Sequence, residues 1–284
     1  MDLQKEIEKL IERAIAEDIG TGDITSLACL PESRLTSGVF LLKQSGVIAG
    51  LPLLPLLFRA INPNVEIELL AQEGSFQKMG TLIAKFSGPA QAILAGERVA
   101  LNLLQHASGV ATTTAEYVKK IANIKCDILD TRRTLPGLRA LEKYAVAVGG
   151  GKNHRNGLDD CFLIKSSHLA FLAGGSMHPI REAVEKIKSY TPNIPMEIQL
   201  DSISQIEEAL QHDFRAIMLR NMSIEDILQS VALIKHSNKK VYLAFSGNVT
   251  LDTVRSIAET GIHGISVAAL THSVSGIDIG LRLK

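Results

Sequence analysis

From Cys126 onward the chain repeats one pattern six times, a short apolar run of strand-forming residues followed by a segment of helical period. The runs end at Asp130 (CDILD), Lys165 (CFLIK), Leu200 (MEIQL), Arg220 (AIMLR), Phe245 (VYLAF) and Ala269 (GISVAA). Helices are predicted over Leu138 to Val148, Pro179 to Tyr190, Ile203 to His212, Ile224 to His236 and Leu251 to Thr260. Strands that are apolar throughout must be covered on both faces, which is the condition of a parallel sheet flanked by helices. A spacing of about 20 to 35 residues per unit suits a βα-barrel. An open doubly wound sheet is the alternative, and the first strand lacks the glycine-rich turn of its dinucleotide-binding form.

The preceding residues follow other rules. Gln4 to Asp18 puts Ile7, Leu10, Ile11, Ala14 and Ile15 on one helical face. Thr36 to Gln91 breaks into short β-prone runs separated by Gly and Pro, the pattern of a small, mostly antiparallel sheet. Glu97 to Ile121 reads as a long helix or helix pair joining the halves. With 284 residues, 46% of them hydrophobic, two cores of unequal size can be filled.

The formal net charge is zero, so no global basic field recruits nucleic acid or anionic lipid. Cys29, Cys126 and Cys161 are too scattered for a disulfide framework or a zinc site, which fits a reducing, cytoplasmic setting. The longest apolar run, Val47 to Phe58, is cut by Gly50, Pro52 and Pro55, and the N-terminus has no signal-like apolar segment, so no membrane association is expected.

In a βα-barrel the active site gathers at the C-terminal strand ends. Those positions here are strongly polar: Arg132 and Arg133 after the first run, His154 and Arg155 after its helix, then Lys165 with Ser166, Ser167 and His168. Later strand ends offer Gln199, Asp201, Arg220, Asn221, Ser246-Gly247-Asn248, Thr271 and His272. Guanidinium groups bind carboxylate and phosphate bidentately, so Arg132, Arg133, His154, Arg155 and Lys165 at one mouth would select a multiply anionic small molecule. Singly, each is an ordinary solvated rim residue. Ser246 to Thr250 can cradle a phosphate at a helix start, or be a plain turn with Thr250 as N-cap. Gly149 to Gly151 either lets backbone approach a ligand or ends a helix at Gly149.

The segments AEDIGTGDITS (Ala16 to Ser26), GVIAGLP (Gly46 to Pro52), GPAQAILAGERVALNLLQHASGVAT (Gly88 to Thr112), ILDTRRTLPGLRALEKYAVAVGGGKNHRNGL (Ile128 to Leu158) and ETGIHGISVAALTHS (Glu259 to Ser273) occur in this order. With them the chain resembles the quinolinate phosphoribosyltransferase family nearly end to end. The resemblance implies an α/β protein with an N-terminal α/β sandwich domain, residues 1–110 with the tail from about 272 to 284 packed on it. An incomplete, seven-stranded α/β barrel would follow over residues 111–271. It further implies a homodimer or higher homo-oligomer. The implied reaction joins quinolinate to 5-phosphoribosyl 1-diphosphate with Mg²⁺, releasing diphosphate and CO₂ and leaving nicotinate mononucleotide.

By motif position, Arg98, Arg132, His154 and Arg155 resemble the family's quinolinate clamp, Arg98 coming from a neighbouring subunit. Arg133 stands at a usual lysine, Lys165 at the family lysine of the second strand end, and His168 closes that motif. Ser246, Gly247 and Asn248 match the segment that holds the sugar 5-phosphate, with His272 nearby.

Four positions depart from the family's pattern in the mouth: Gln199, Arg220 and Ala244 replace acids, and Ala268 replaces a glycine. Ser166 also stands at a usual aspartate. Ligands for the metal are not identified by the sequence. Two readings follow. In one the chain is a working phosphoribosyltransferase with Lys165, Glu197 and Asp201 as its catalytic residues. In the other it is a catalytically impaired or altered paralogue that keeps the clamp and binds a different anion.

Overall fold

The computed structural model describes residues 3–191 and 193–284. Helices α1 (Leu3–Asp18) and α2 (Ile24–Cys29) lead into β1 (Leu35–Leu42) and β2 (Gly46–Val47). Next come α3 (Leu53–Ile61), β3 (Glu66–Leu69), β4 (Phe76–Gln77), β5 (Leu82–Pro89) and the long α4 (Ala90–Lys120). The chain continues through β6 (Asp127–Leu129), α5 (Arg139–Val148), β7 (Phe162–Ile164), α6 (Ser166–Ala173), α7 (Pro179–Tyr190) and β8 (Met196–Leu200). It closes with α8 (Ile203–Ala209), β9 (Ala216–Arg220), α9 (Ile224–His236), β10 (Tyr242–Ser246), α10 (Val254–Glu259), β11 (Gly264–Ser266), α11 (Ala269–His272) and β12 (Ile279–Leu283).

Two compact units result. The first holds the described residues up to Ala115 together with Arg133–Gly151 and Leu270–Lys284; the second holds Glu116–Arg132 and Lys152–Ala269. The first unit is built on an antiparallel sheet of order β12-β1-β5-β3. Phe40 of β1 meets Phe86 of β5 edge-on at 5.5 Å and Phe58 of α3 at 6.4 Å, which fills the core with aromatic carbon.

These units differ from a division at residue 110, because 133–151 lies in the first unit. The reason is a set of polar ties from α5. Tyr144 donates its hydroxyl to Glu73 Oε1 at 2.6 Å, and Glu73 also accepts the backbone N–H groups of Gly50 and Leu51. Glu142, fully buried, accepts the N–H of Leu135 and lies 2.9 Å from His106 Nε2 on α4. Gly149 ends α5 by donating to Ala145 O, and a Cβ there would stand 2.7 Å from Thr114 Cβ. The triple glycine therefore serves helix termination and close packing.

The second unit contains a six-stranded parallel sheet of order β6-β11-β10-β9-β8-β7. A seventh strand is reduced to one parallel bridge, Leu129 to Lys152, because the chain then turns to hydrogen-bond His154 N–H to the Asp130 side chain. In-register pairing sets the rows across β8, β9 and β10. Glu197, Ala216 and Tyr242 form one row, Gln199, Met218 and Ala244 the next, and Arg220 with Ser246 the last. Since side chains alternate along a strand, these rows share one face of the sheet.

Candidate functional site

His154, one of the residues expected in the clamp, joins a charged network built around Glu197. This carboxylate is 3% exposed. His154 Nε2 lies 2.6 Å from its Oε2, and Arg215 donates to its Oε1 through Nε at 3.1 Å and through Nη2. Burial alone would raise the Glu197 pKa, but the hydrogen bonds and charges of His154 and Arg215 outweigh it and hold the carboxyl down at about 2. The same pairing raises the pKa of Arg215.

Arg155, 8% exposed, donates Nη1 to Cys161 O at 2.9 Å. Its pKa is lowered first by burial and then by the charge of Arg132. Two guanidinium groups that repel each other beside a buried polar network are poised for an anion, which would relieve the repulsion. Burial also pushes the Cys161 thiol up to about 11, so this cysteine is not a nucleophile at neutral pH.

A second group forms at the ends of β7, β8 and β9. The backbone N–H of Lys165 donates to His168 Nδ1 at 3.1 Å, which fixes the ring as an acceptor at that nitrogen. Arg220 donates Nη1 to Ser166 Oγ at 3.1 Å and stands 3.8 Å from Asp201 Oδ2. Below it, Gln199 Nε2 approaches Met218 Sδ at 3.8 Å, and Ala244 is buried with Leu129, Met218 and Tyr242. Two of the departures, Arg220 and Ser166, thus touch each other, while Gln199 and Ala244 flank Met218 in a neutral layer.

Ser246 ends β10, and its carbonyl accepts the N–H of Asn221, a residue in the left-handed region with φ of 52°. A Cβ on Gly247 would stand 2.8 Å from Phe245 Cζ and 3.1 Å from Asn221 Oδ1, so a side chain there would have to displace the Phe245 ring. Helix α10 begins at Val254 rather than Leu251, and Thr253 is its N-cap, with Thr250 hydrogen-bonded to it. The helix start expected at Ser246 to Thr250 is therefore displaced along the chain. Ala268 lies between β11 and α11.

The other expected contacts lie in the first unit. Arg98 is exposed on α4, Arg133 is exposed with its carbonyl accepting from Thr271 Oγ1 at 2.6 Å, and His272 is exposed with Nδ1 against the Ser273 hydroxyl. Sequence reasoning missed Arg215. It precedes its strand instead of following it, and only the pairing of Glu197 with Ala216 reveals its position.

Residues 23–108 match the N-terminal domain of quinolinate phosphoribosyl transferase, and residues 110–282 match the C-terminal domain. The chain is 38% identical over 277 residues to a probable nicotinate-nucleotide pyrophosphorylase [carboxylating] of Bacillus subtilis, covering 97% of this chain and 93% of the relative. It is 37% identical over 278 residues to a protein of the same name from Synechocystis, covering 98% and 92%. The solved nicotinate-nucleotide pyrophosphorylase of Francisella tularensis superposes with a TM-score of 0.88 at 33% identity, over 99% of this chain and 96% of that one. With both domains matched in order and relatives of this identity covering almost all of it, the chain belongs to the quinolinate phosphoribosyltransferase family.

Proposed function

We propose that this chain transfers the phosphoribosyl group of 5-phosphoribosyl 1-diphosphate to quinolinate with loss of CO₂, giving nicotinate mononucleotide and diphosphate. The observation that carries this reading is the grouping of His154, held by the buried Glu197 carboxylate, with Arg155 and Arg132, two guanidinium groups close enough to feel each other's charge. A dicarboxylate matches that charge.

In the reaction the pyridine nitrogen bonds to the anomeric carbon as the bond to diphosphate breaks, and the ring nitrogen becomes cationic. The 2-carboxylate then leaves as CO₂, its bonding pair stabilised on the ring carbon by that cation until a proton takes its place. Arg132 and Arg155 would hold the carboxylates and orient the nitrogen. Glu197 has both oxygens engaged, so its part is to position His154 rather than to touch the sugar. Lys165, His168 and Ser246 to Asn248 would serve the donor end, with Asp201 the acid available there.

Mg²⁺ is expected to travel with the donor's diphosphate. Among the described residues no group of three or more His, Cys, Asp or Glu could hold a metal ion, so an ion here would take most of its ligands from the donor's diphosphate. We further propose a homo-oligomer in which the exposed Arg98 reaches a neighbouring subunit, checked by light scattering, and a cytoplasmic setting, checked by fractionation. Among the described residues no helix is long and apolar enough to cross a membrane.

The deciding assay incubates purified protein with quinolinate, the sugar diphosphate and Mg²⁺, following nicotinate mononucleotide. Product formation is expected. Absence of product at high enzyme concentration, while quinolinate still binds by calorimetry, overturns the reading.

A further inference from the structure

We propose that Arg220 binds a phosphoryl group of the sugar donor directly, so that the chain grips its donor without needing a divalent cation. This rests on the donor named above and goes beyond it by assigning the residue and the metal independence.

Arg220 ends β9 in register with Ser246 at the end of β10, and the two strand ends are linked by the Asn221 N–H to Ser246 O bond of 2.9 Å. A guanidinium has five N–H donors. Among the described residues Arg220 makes one hydrogen bond, to Ser166 Oγ, and one loose ion pair, to Asp201 at 3.8 Å. The row beneath it is Gln199, Met218 and Ala244, which offers no charge to neutralise it. The guanidinium is thus held in place by a neutral hydroxyl and left under-compensated, the condition in which it takes a phosphoryl oxyanion in bidentate geometry.

The carboxylates tell the same story from the other side. Magnesium in a phosphate site is held by one or two carboxylates together with the phosphates. Asp130 and Glu197 are both buried and hydrogen-bonded to His154. Asp201, exposed, has Arg220 as its neighbour, so an ion placed on it would face a guanidinium. The positive charge that a metal would bring to the phosphoryl oxygens is already present in the side chain.

The test titrates inorganic diphosphate and, separately, ribose 5-phosphate into the full-length protein by calorimetry, in EDTA and in excess Mg²⁺, with quinolinate titrated into the same samples. Arg220→Ala and Arg220→Asp are run beside the unaltered chain. Diphosphate is expected to bind in EDTA, and Arg220→Ala to weaken it by about tenfold or more, the scale of a lost charge-assisted pair. Arg220→Asp should bind only once Mg²⁺ is added. Quinolinate affinity should be unchanged in both variants, which shows that they fold. Weakening confined to ribose 5-phosphate also supports the proposal and assigns Arg220 to the other phosphate of the same donor. Diphosphate binding in EDTA with quinolinate silent supports Arg220 and counts against the acceptor named above. The proposal is overturned if the unaltered chain binds neither probe until Mg²⁺ is added, or if Arg220→Ala binds both as tightly as the unaltered chain.

Discussion

On the clamp side of the second unit, Glu197 is sealed from solvent and takes hydrogen bonds from His154 at 2.6 Å and from Arg215. On the ends of β8 and β9, Asp201 and Arg220 stand 3.8 Å apart with 43% and 45% of their side chains exposed. Both are carboxylate and cation pairs on one sheet, yet burial makes them different objects. A buried charge is costly unless paired, so the first pair fixes a geometry. A solvated pair at that distance contributes little and is free to exchange its partner for a ligand. On the proposed assignment acceptor binding is therefore preorganised, whereas donor binding is left to the incoming anion.

The contrast breaks most readily at Glu197. Glu197→Ala removes the acceptor of His154 and of Arg215, whose side chain is half exposed, and is expected to destabilise the fold by about 3 kcal/mol, the low end for a broken buried pair. Urea denaturation measures it, and a loss under 1 kcal/mol would put the two pairs in one class. The acid response is of similar size. The Glu197 pKa is held down from 4.5 to about 2, so its stabilisation is complete above pH 4.5 and disappears as the pH falls toward 2. The contribution is on the order of 3 kcal/mol. Calorimetric melts of the unaltered chain should drop faster over that window than those of Glu197→Gln; parallel curves would remove Glu197 as the cause.

Smaller in energy is the loss of a clamp contact. Arg132→Ala should weaken quinolinate binding by about a hundredfold, the scale of a charge-assisted bidentate pair, with the melting temperature kept. Unchanged affinity would take Arg132 out of the site. Smallest is Asp201→Asn, expected to change stability by under about 1 kcal/mol because the pair is solvated. A larger loss would mean that the β8 end is as rigid as the clamp.

The barrel was legible because each strand carries its own apolar run, and four of the five helices predicted between strands share a start or an end with the observed helix. Glu97 to Ile121 left a long helix and a helix pair both open, and α4 runs unbroken through 31 residues. Gly96 is there for space, since a Cβ would stand 2.7 Å from Phe58 Cε1. Packing partners distant in sequence, and not local propensity, decide that position. Arg215 and the contact of His106 with Glu142 were illegible for the same reason, because register and helix packing create them. The departures at Gln199, Arg220 and Ala244 were visible residue by residue, but their arrangement in adjacent rows across β8, β9 and β10 required the sheet.

The pairing of β12 with β1, Gly38 to Leu283 through Leu42 to Ile279, gives the first unit a dependence on synthesis order. Every residue of the second unit precedes Leu270, so a ribosome delivers that unit whole before the strand that borders β1 has emerged. Until then β1 presents an open edge with unsatisfied backbone groups, a template for foreign strands. The unit begun first is thus the one finished last.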